Sequence, residues 1–169
     1  MSTLSFETER LILRPTTQED AAFLLELLNS PKWLKYIGDR NVRTIEAAAE
    51  YVEKKITPQF ERLGYTNYTV IRKSDGEKLG TCGLYDRDGL EGVDIGFAFL
   101  PQHEGQGYAF EAASRVKALA FEVFKINHLC AITTQDNFSS QKLLEKLGFR
   151  FTKLINIPND EVTLMLYEL

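Results

Sequence analysis

The chain has little of what metal and disulfide chemistry requires. Among 169 residues there are two cysteines, Cys82 and Cys130, and two histidines, His103 and His128. Their spacing fits no metal-ligand pattern, and two thiols make no disulfide scaffold. Both cysteines fall in strand-like stretches and are expected to be buried, reduced thiols that behave as small apolar side chains. The chain also lacks an apolar run long enough to span a bilayer and a signal-peptide pattern at its start, so no membrane partner and a cytoplasmic location are expected. Neither sign of charge dominates: 20 Lys and Arg stand against 24 Asp and Glu, a net charge of −4. With no basic cluster, nucleic-acid binding is not indicated, and the mild acidity is compatible with a cationic substrate. Linkers, repeats and low-complexity segments are absent as well. Residues 1–169 therefore read as a single domain, long enough for a proper core.

What the chain does have is concentrated in Val93–Ala112. Val93, Ile95, Phe97 and Phe99 alternate with Asp94, Gly96, Ala98 and Leu100, the period of two that marks a strand. The second face is small near its middle, which leaves room for something to approach the backbone. Pro101 cannot donate to a ladder, so the strand should stop at Leu100. After a loop, Tyr108, Ala112, Val116, Leu119, Ala120 and Val123 recur at helical spacing. The unit is strand, glycine loop, helix.

Such a loop suits an anion. The first-turn N–H groups of a helix have no partner inside it, and the helix dipole is positive there. Gly105 and Gly107 keep side chains clear of a phosphate, and the N–H groups from about Gly105 to Ala109 are expected to cradle one. The alternative is a turn whose glycines only permit the geometry. A nucleotide P-loop would need Gly-Lys-Ser/Thr where Gly107 is followed by Tyr108-Ala109, and the dinucleotide fingerprint would need glycine where Phe110 stands.

The rest of the chain reads as follows. Arg10–Arg14 form a first strand that Pro15 ends. Thr17 caps a helix with the apolar stripe Ala21, Leu24, Leu25 and Leu28. Asn29-Ser30-Pro31 breaks it, and Lys32–Arg40 is irregular. A second helix runs from Thr44 to about Arg62, stopped by Leu63-Gly64. Strands Asn67–Arg72, Lys78–Tyr85 and Val93–Leu100 are joined by turn sequences, which suggests an antiparallel meander. The helix from Gly107 to about Phe124 crosses back, so His128–Thr134 should lie parallel to the fourth strand. Asn137 caps a helix through Leu147, and Phe149–Leu154 and Val162–Leu169 close the sheet as a hairpin.

Gln102-x-x-Gly105-x-Gly107 after a strand resembles the coenzyme A pyrophosphate loop of the GNAT acyltransferase superfamily. Thr8–Arg14 resembles the opening strand of the branch that includes ribosomal-protein N-terminal acetyltransferases. Asp136-Asn137-Phe138-Ser139-Ser140 with Leu143–Phe149 resembles that branch's Asn-x-x-Ser…Lys-x-Gly-Phe signature. The resemblance covers nearly the whole chain. It implies an α/β fold with a mixed, mostly antiparallel seven-stranded sheet flanked by helices, its fourth and fifth strands parallel and splayed. It also implies transfer of an acetyl group from acetyl-coenzyme A, as co-substrate, to a primary amine: a protein N-terminal α-amine or a small-molecule amine. The oligomeric state is open between monomer and homodimer.

The resemblance also distributes roles. Coenzyme contacts are expected from Phe99, Leu100, Gln102, Gly105, Gln106, Gly107, Tyr108, Ala109 and Asn137, with pantetheine lying along backbone near Phe97, Phe99 and Leu100. Asn137 divides between that contact and a helix cap. Asp94 stands where related enzymes often place a glutamate base; it acts directly, through water, or only holds the substrate cation or the fold. Many relatives carry a tyrosine acid seven residues after the cap asparagine, but Leu144 stands there. Ser140 is then expected to stabilise the departing thiolate, the alternative being an exposed first-turn hydroxyl. Trp33, Tyr36 and the 157–161 hairpin fall where the family builds its acceptor site, the aromatics equally open to ordinary packing. His103 is a further possible phosphate contact. No metal is expected. Loss of the tyrosine leaves a second reading, a non-catalytic acyl-coenzyme A sensor.

Overall fold

A computed structural model describes residues 4–169. Its elements are β1 (Phe6–Glu7), β2 (Leu11–Pro15), α1 (Ala21–Leu28), α2 (Pro31–Tyr36), α3 (Ile45–Tyr51), α4 (Thr57–Leu63), β3 (Asn67–Arg72), β4 (Lys78–Tyr85), β5 (Val93–Phe99), α5 (Tyr108–Glu122), β6 (Leu129–Thr134), α6 (Phe138–Lys146), β7 (Arg150–Ile155) and β8 (Leu164–Glu168). The sheet has eight strands in the order β1-β2-β3-β4-β5-β6-β8-β7. The expected count of seven is corrected by β1, two residues too short to show alternation. It folds back on β2 through a turn in which the Thr8 N–H donates to the Leu11 carbonyl at 2.9 Å.

Every neighbouring pair is antiparallel except β5 and β6. That parallel pair holds only at Val93–Leu129 and Asp94–Cys130. Beyond it β5 stays bonded to β4 as far as Phe99, and β6 stays bonded to β8 as far as Thr134. The two strands therefore share one end and diverge at the other.

Alternation along β5 sorts the core into two layers. Ile95 is buried in a cluster that includes Tyr108, Ala112, Val116 and Ala120 of α5, with partly buried Val93, Phe97 and Phe99 packed against it. Ala98 and Leu100 join the other cluster, with Leu24, Leu27 and Leu28 of α1 and Ala48 of α3. Val123 departs from the expected stripe: it lies just past the end of α5 and is exposed.

Two stretches differ from their sequence reading for proline reasons. Pro31 does not only break the preceding helix; it occupies the first turn of α2, where its missing N–H is no loss. Trp33 and Tyr36 thus sit on a helix rather than an irregular segment. Between α3 and α4 the helix widens to a π turn over Val52–Ile56, closed by the Thr57 N–H donating to the Val52 carbonyl. Pro58 follows at once, and the wider turn absorbs the clash its ring would make in a regular helix.

Candidate active site

The site lies where β5 and β6 part. A cavity of about 790 Å³ opens there, lined by Ile95–Phe99 from one strand and Ala131–Thr134 from the other. It runs from the glycine loop at the α5 terminus to an aromatic wall of Trp33, Tyr36, Tyr51 and Tyr85. The 157–160 loop also reaches it.

At the loop end Gly105 and Gly107 have φ of +76° and +83°, left-handed values that favour glycine. A Cβ on Gly105 would meet nothing within 4 Å, so that face is open. The first hydrogen bond of α5 is from the Glu111 N–H to the Gly107 carbonyl at 3.1 Å. Among the described residues no acceptor takes the N–H groups of Gln106, Gly107, Tyr108, Ala109 or Phe110. Five unpaired donors at a positive helix end, beside a cavity, are an arrangement that suits an anion.

That helix end is held by a latch the sequence did not reveal. The Glu111 carboxylate accepts from the Thr8 hydroxyl at 2.5 Å, the Arg10 N–H at 2.9 Å and the Arg10 guanidinium at 2.7 Å. Burial works against its charge, but these donors hold its carboxyl below the usual range. Arg10 also donates to the Gln106 carbonyl at 3.1 Å and lies 4.4 Å from the Tyr108 ring centroid. The β1–β2 turn therefore fixes both the loop and the first residue of α5.

The expected residues distribute unevenly. Phe99, Gly105, Gly107, Tyr108, Ala109, Asn137, Ser140, Trp33, Tyr36 and Asp94 all line the cavity. Leu100, Gln102 and Gln106 do not. Leu100 is buried among the α1 side chains, and its N–H donates to the Leu79 carbonyl at 3.0 Å. The Gln102 side chain turns to Glu26 at 3.4 Å, and the Gln106 side chain to the Gln102 carbonyl at 3.5 Å. His103 is buried on the cavity wall, its Nε2 3.7 Å from Glu77. Asn137 acts as a cap: its Oδ1 accepts the Ser140 N–H at 3.3 Å. The Ser140 hydroxyl has no protein partner among the described residues, and Leu144, at the tyrosine position, is buried.

Asp94 is not an open carboxylate. Its side chain is 2% exposed, and Arg87 donates to both oxygens, at 3.1 and 3.3 Å. Burial pushes its pKa up while Arg87 opposes the shift. Arg87 comes from the stretch after β4 that reads as a plain turn, so its role has no local signal. Gly96 holds a second surprise. Its bareness makes room for protein: a Cβ there would come 2.9 Å from the Tyr85 ring. The Tyr85 hydroxyl in turn donates to the Asn67 Oδ1.

The two cysteines are buried and free, and burial raises the Cys130 thiol to about 12. Neither is a nucleophile at neutral pH. Among the described residues no group of three or more His, Cys, Asp or Glu is placed to hold a metal, and no helix is long and apolar enough to cross a membrane.

Comparison with known proteins agrees with this geometry. Residues 10–150 match the family model described as acetyltransferase (GNAT) domain. An N-acetyltransferase of Bacillus subtilis, YoaA, itself named uncharacterized, is 29% identical over 145 residues, 85% of this chain and 81% of the relative. Among solved structures, a ribosomal-protein-S5-alanine acetyltransferase from Vibrio fischeri superposes with a TM-score of 0.81 at 16% identity, covering 98% of this chain and 96% of the other. A spermidine N-acetyltransferase from Vibrio cholerae, in complex with coenzyme A and spermine, gives 0.78 at 16%, covering 96% of each chain. The match over residues 10–150 settles the family: the chain belongs to the GNAT acetyltransferases, whose domain implies acyl-coenzyme A-dependent acetyl transfer.

Proposed function

We propose that the protein moves an acetyl group from acetyl-coenzyme A to a primary amine, on a protein N-terminus or a small molecule, by direct attack in a ternary complex. The observation that carries this reading is the parting of β5 from β6. Both strands turn a bonded edge outward and an unbonded edge into the cavity. Interior backbone groups need partners, and the amide-bearing pantetheine arm supplies them strand-fashion. The pyrophosphate then falls on the N–H groups of Gln106 to Phe110. The Gln102 and Gln106 side chains point elsewhere, so the loop meets the phosphates through its backbone.

The acyl carbon is attacked by a neutral amine nitrogen. The C–S bond breaks, the thiolate leaves, and the nitrogen gives up its proton to solvent. An α-amine with a pKa near ~8 is about one-tenth neutral at pH 7, so the demand for a base is modest. Asp94, sealed behind Arg87, is read as the group that positions Arg87 rather than as the base. The Ser140 hydroxyl, free of protein partners, donates to the thiolate in place of the missing tyrosine.

Incubation with acetyl-coenzyme A and a panel of amines, with free thiol as the readout, tests the proposal. Thiol release with at least one amine is expected. Tight coenzyme binding without release for any amine would instead favour the sensor reading, which rests on Leu144.

A further inference from the structure

The cavity has a charge pattern that narrows the amine. Its lining carries four carboxylates, Asp86, Asp94, Glu104 and Asp160, and four fixed cations, Lys32, Arg40, Lys55 and Arg87. Lys32 is paired with Glu104 at 2.5 Å, and Asp86 with Arg62 at 3.1 Å. Asp94 is sealed at 2% side-chain exposure with both oxygens on Arg87, so it is closed to an incoming cation, whereas Arg87 in the same pair keeps an accessible edge. Arg40 and Lys55 have no carboxylate within 4.0 Å among the described residues. Asp160 alone is a carboxylate without a cation, and its Oδ1 already accepts the Val162 N–H. A polyamine would find one unpaired carboxylate and two unpaired cations.

Arg87 itself is built as a receptor. Its Nε and Nη2 are spent on Asp94, and its guanidinium lies 5.5 Å from the Tyr85 ring centroid. Tyr85 is fixed in turn by Asn67, whose Nδ2 donates to the Thr16 hydroxyl at 2.8 Å. The fork is therefore held from two sides. Its Nη1 has no protein acceptor and is not sealed from solvent, and the side chain is 35% exposed on the cavity wall. A guanidinium pinned by one carboxylate with a free donor edge is pre-organised for a second carboxylate.

We infer that the acceptor is a primary amine whose own molecule carries a carboxylate, received by the free edge of Arg87 while the amine faces the thioester. The inference rests on the acetyl-transfer reading and names its substrate class. A free amino acid supplies the carboxylate at its α-carbon. A peptide supplies it from an acidic side chain beside its N-terminus.

The test compares free glutamate, glutamate α-amide, glutamate diamide, a Glu-initiated peptide with an amidated C-terminus, its Gln-initiated counterpart, and spermidine. Thiol release is read for turnover. Calorimetric binding to protein loaded with desulfo-coenzyme A is read without turnover. At least one carboxylate-bearing amine should exceed its neutral counterpart by about 10- to 100-fold in kcat/KM and in affinity. A preference confined to free glutamate over its α-amide identifies the amino acid; one confined to the Glu peptide over the Gln peptide identifies the N-terminus. Because Arg87→Gln alone would strand a buried Asp94, the variant is the double Arg87→Gln/Asp94→Asn. It should lose the preference and keep acetyl-coenzyme A affinity, while Arg87→Lys keeps part of the preference. Equal use of charged and neutral amines, spermidine as the best acceptor, or a preference that survives the double variant would overturn the inference. Carboxylate-dependent binding with no thiol release would remove the acetyl-transfer reading and leave the receptor assignment standing. Silence in both readouts would overturn both.

Discussion

Two buried carboxylates on this sheet are treated in opposite ways. Asp20, fully buried, receives Arg14 at 2.8 Å, Lys78 at 2.7 Å, the Thr17 N–H at 3.0 Å and the Thr69 hydroxyl at 3.2 Å. Burial opposes its charge, yet the Arg14, Lys78 and Thr17 donors bring its pKa down to about 2. Asp94, equally buried, has one half-buried Arg87, and burial drives its pKa the other way. The over-satisfied carboxylate ties β2, β3 and β4 together and does not line the cavity. The under-satisfied one stands at the cavity. A buried charge with a single partner, left so at a cavity, is a mark of a functional site, and here the partner, Arg87, is the group that reaches the cavity.

The largest effect expected from breaking this comparison is on stability. Asp20→Ala leaves two cations around a void and should cost about 3–5 kcal/mol in denaturant unfolding. Asp94→Asn should cost far less, about 1 kcal/mol or below, because it removes a charge that burial already disfavours. The same pair differs in pH dependence. The Asp20 contribution is fully present above the ordinary carboxylate range near 3.8 and is lost as pH falls toward 2. The raised pKa of Asp94 has the opposite sign: its contribution is present below the ordinary range and fades as pH rises through the raised value. Unfolding from pH 2 to 6 should therefore show a weaker acid loss in Asp20→Asn, and a flatter rise toward acid in Asp94→Asn, than in the parent.

Kinetics sharpen the contrast further. Asp94→Asn should lower kcat/KM for the amine about 10-fold through a loosened Arg87 and leave the shape of the pH–rate profile unchanged. Loss of the acidic limb would restore Asp94 as the base. Ser140→Ala should reduce kcat about 10- to 100-fold with little change in coenzyme KM, as expected of a donor used at the departing thiolate. Equal loss of both parameters would mean that Ser140 holds the coenzyme instead. The smallest effect belongs to the latch: Glu111→Gln should weaken acetyl-coenzyme A about 5-fold, measured by calorimetry, by loosening the loop without touching a phosphate.

Features carried by neighbouring residues were legible. The alternation in Val93–Leu100, the stop at Pro101, the glycines at positive φ and the Asn137 cap each depend on a few consecutive side chains, and each is found. Features that depend on partners far along the chain were not. Arg87 reads as a turn residue until the fold sets it against Asp94 on the next strand. Gly96 reads as an opening until Tyr85 of β4 fills it. Glu111 carries no signal of its own until Thr8 and Arg10, about a hundred residues earlier, close on it. The helix α2 was missed because Pro31 serves both as breaker and as first residue. Strand β1 carries no sequence signal because two residues show no period.

Amide hydrogen exchange with and without acetyl-coenzyme A tests the central claim most directly. Bound coenzyme should slow exchange at Gln106–Phe110 and along Ile95–Phe99, and leave the bonded strands β2 and β3 unchanged. Saturation with the coenzyme and no slowing at either stretch would contradict the assignment of the cleft between β5 and β6 as its seat.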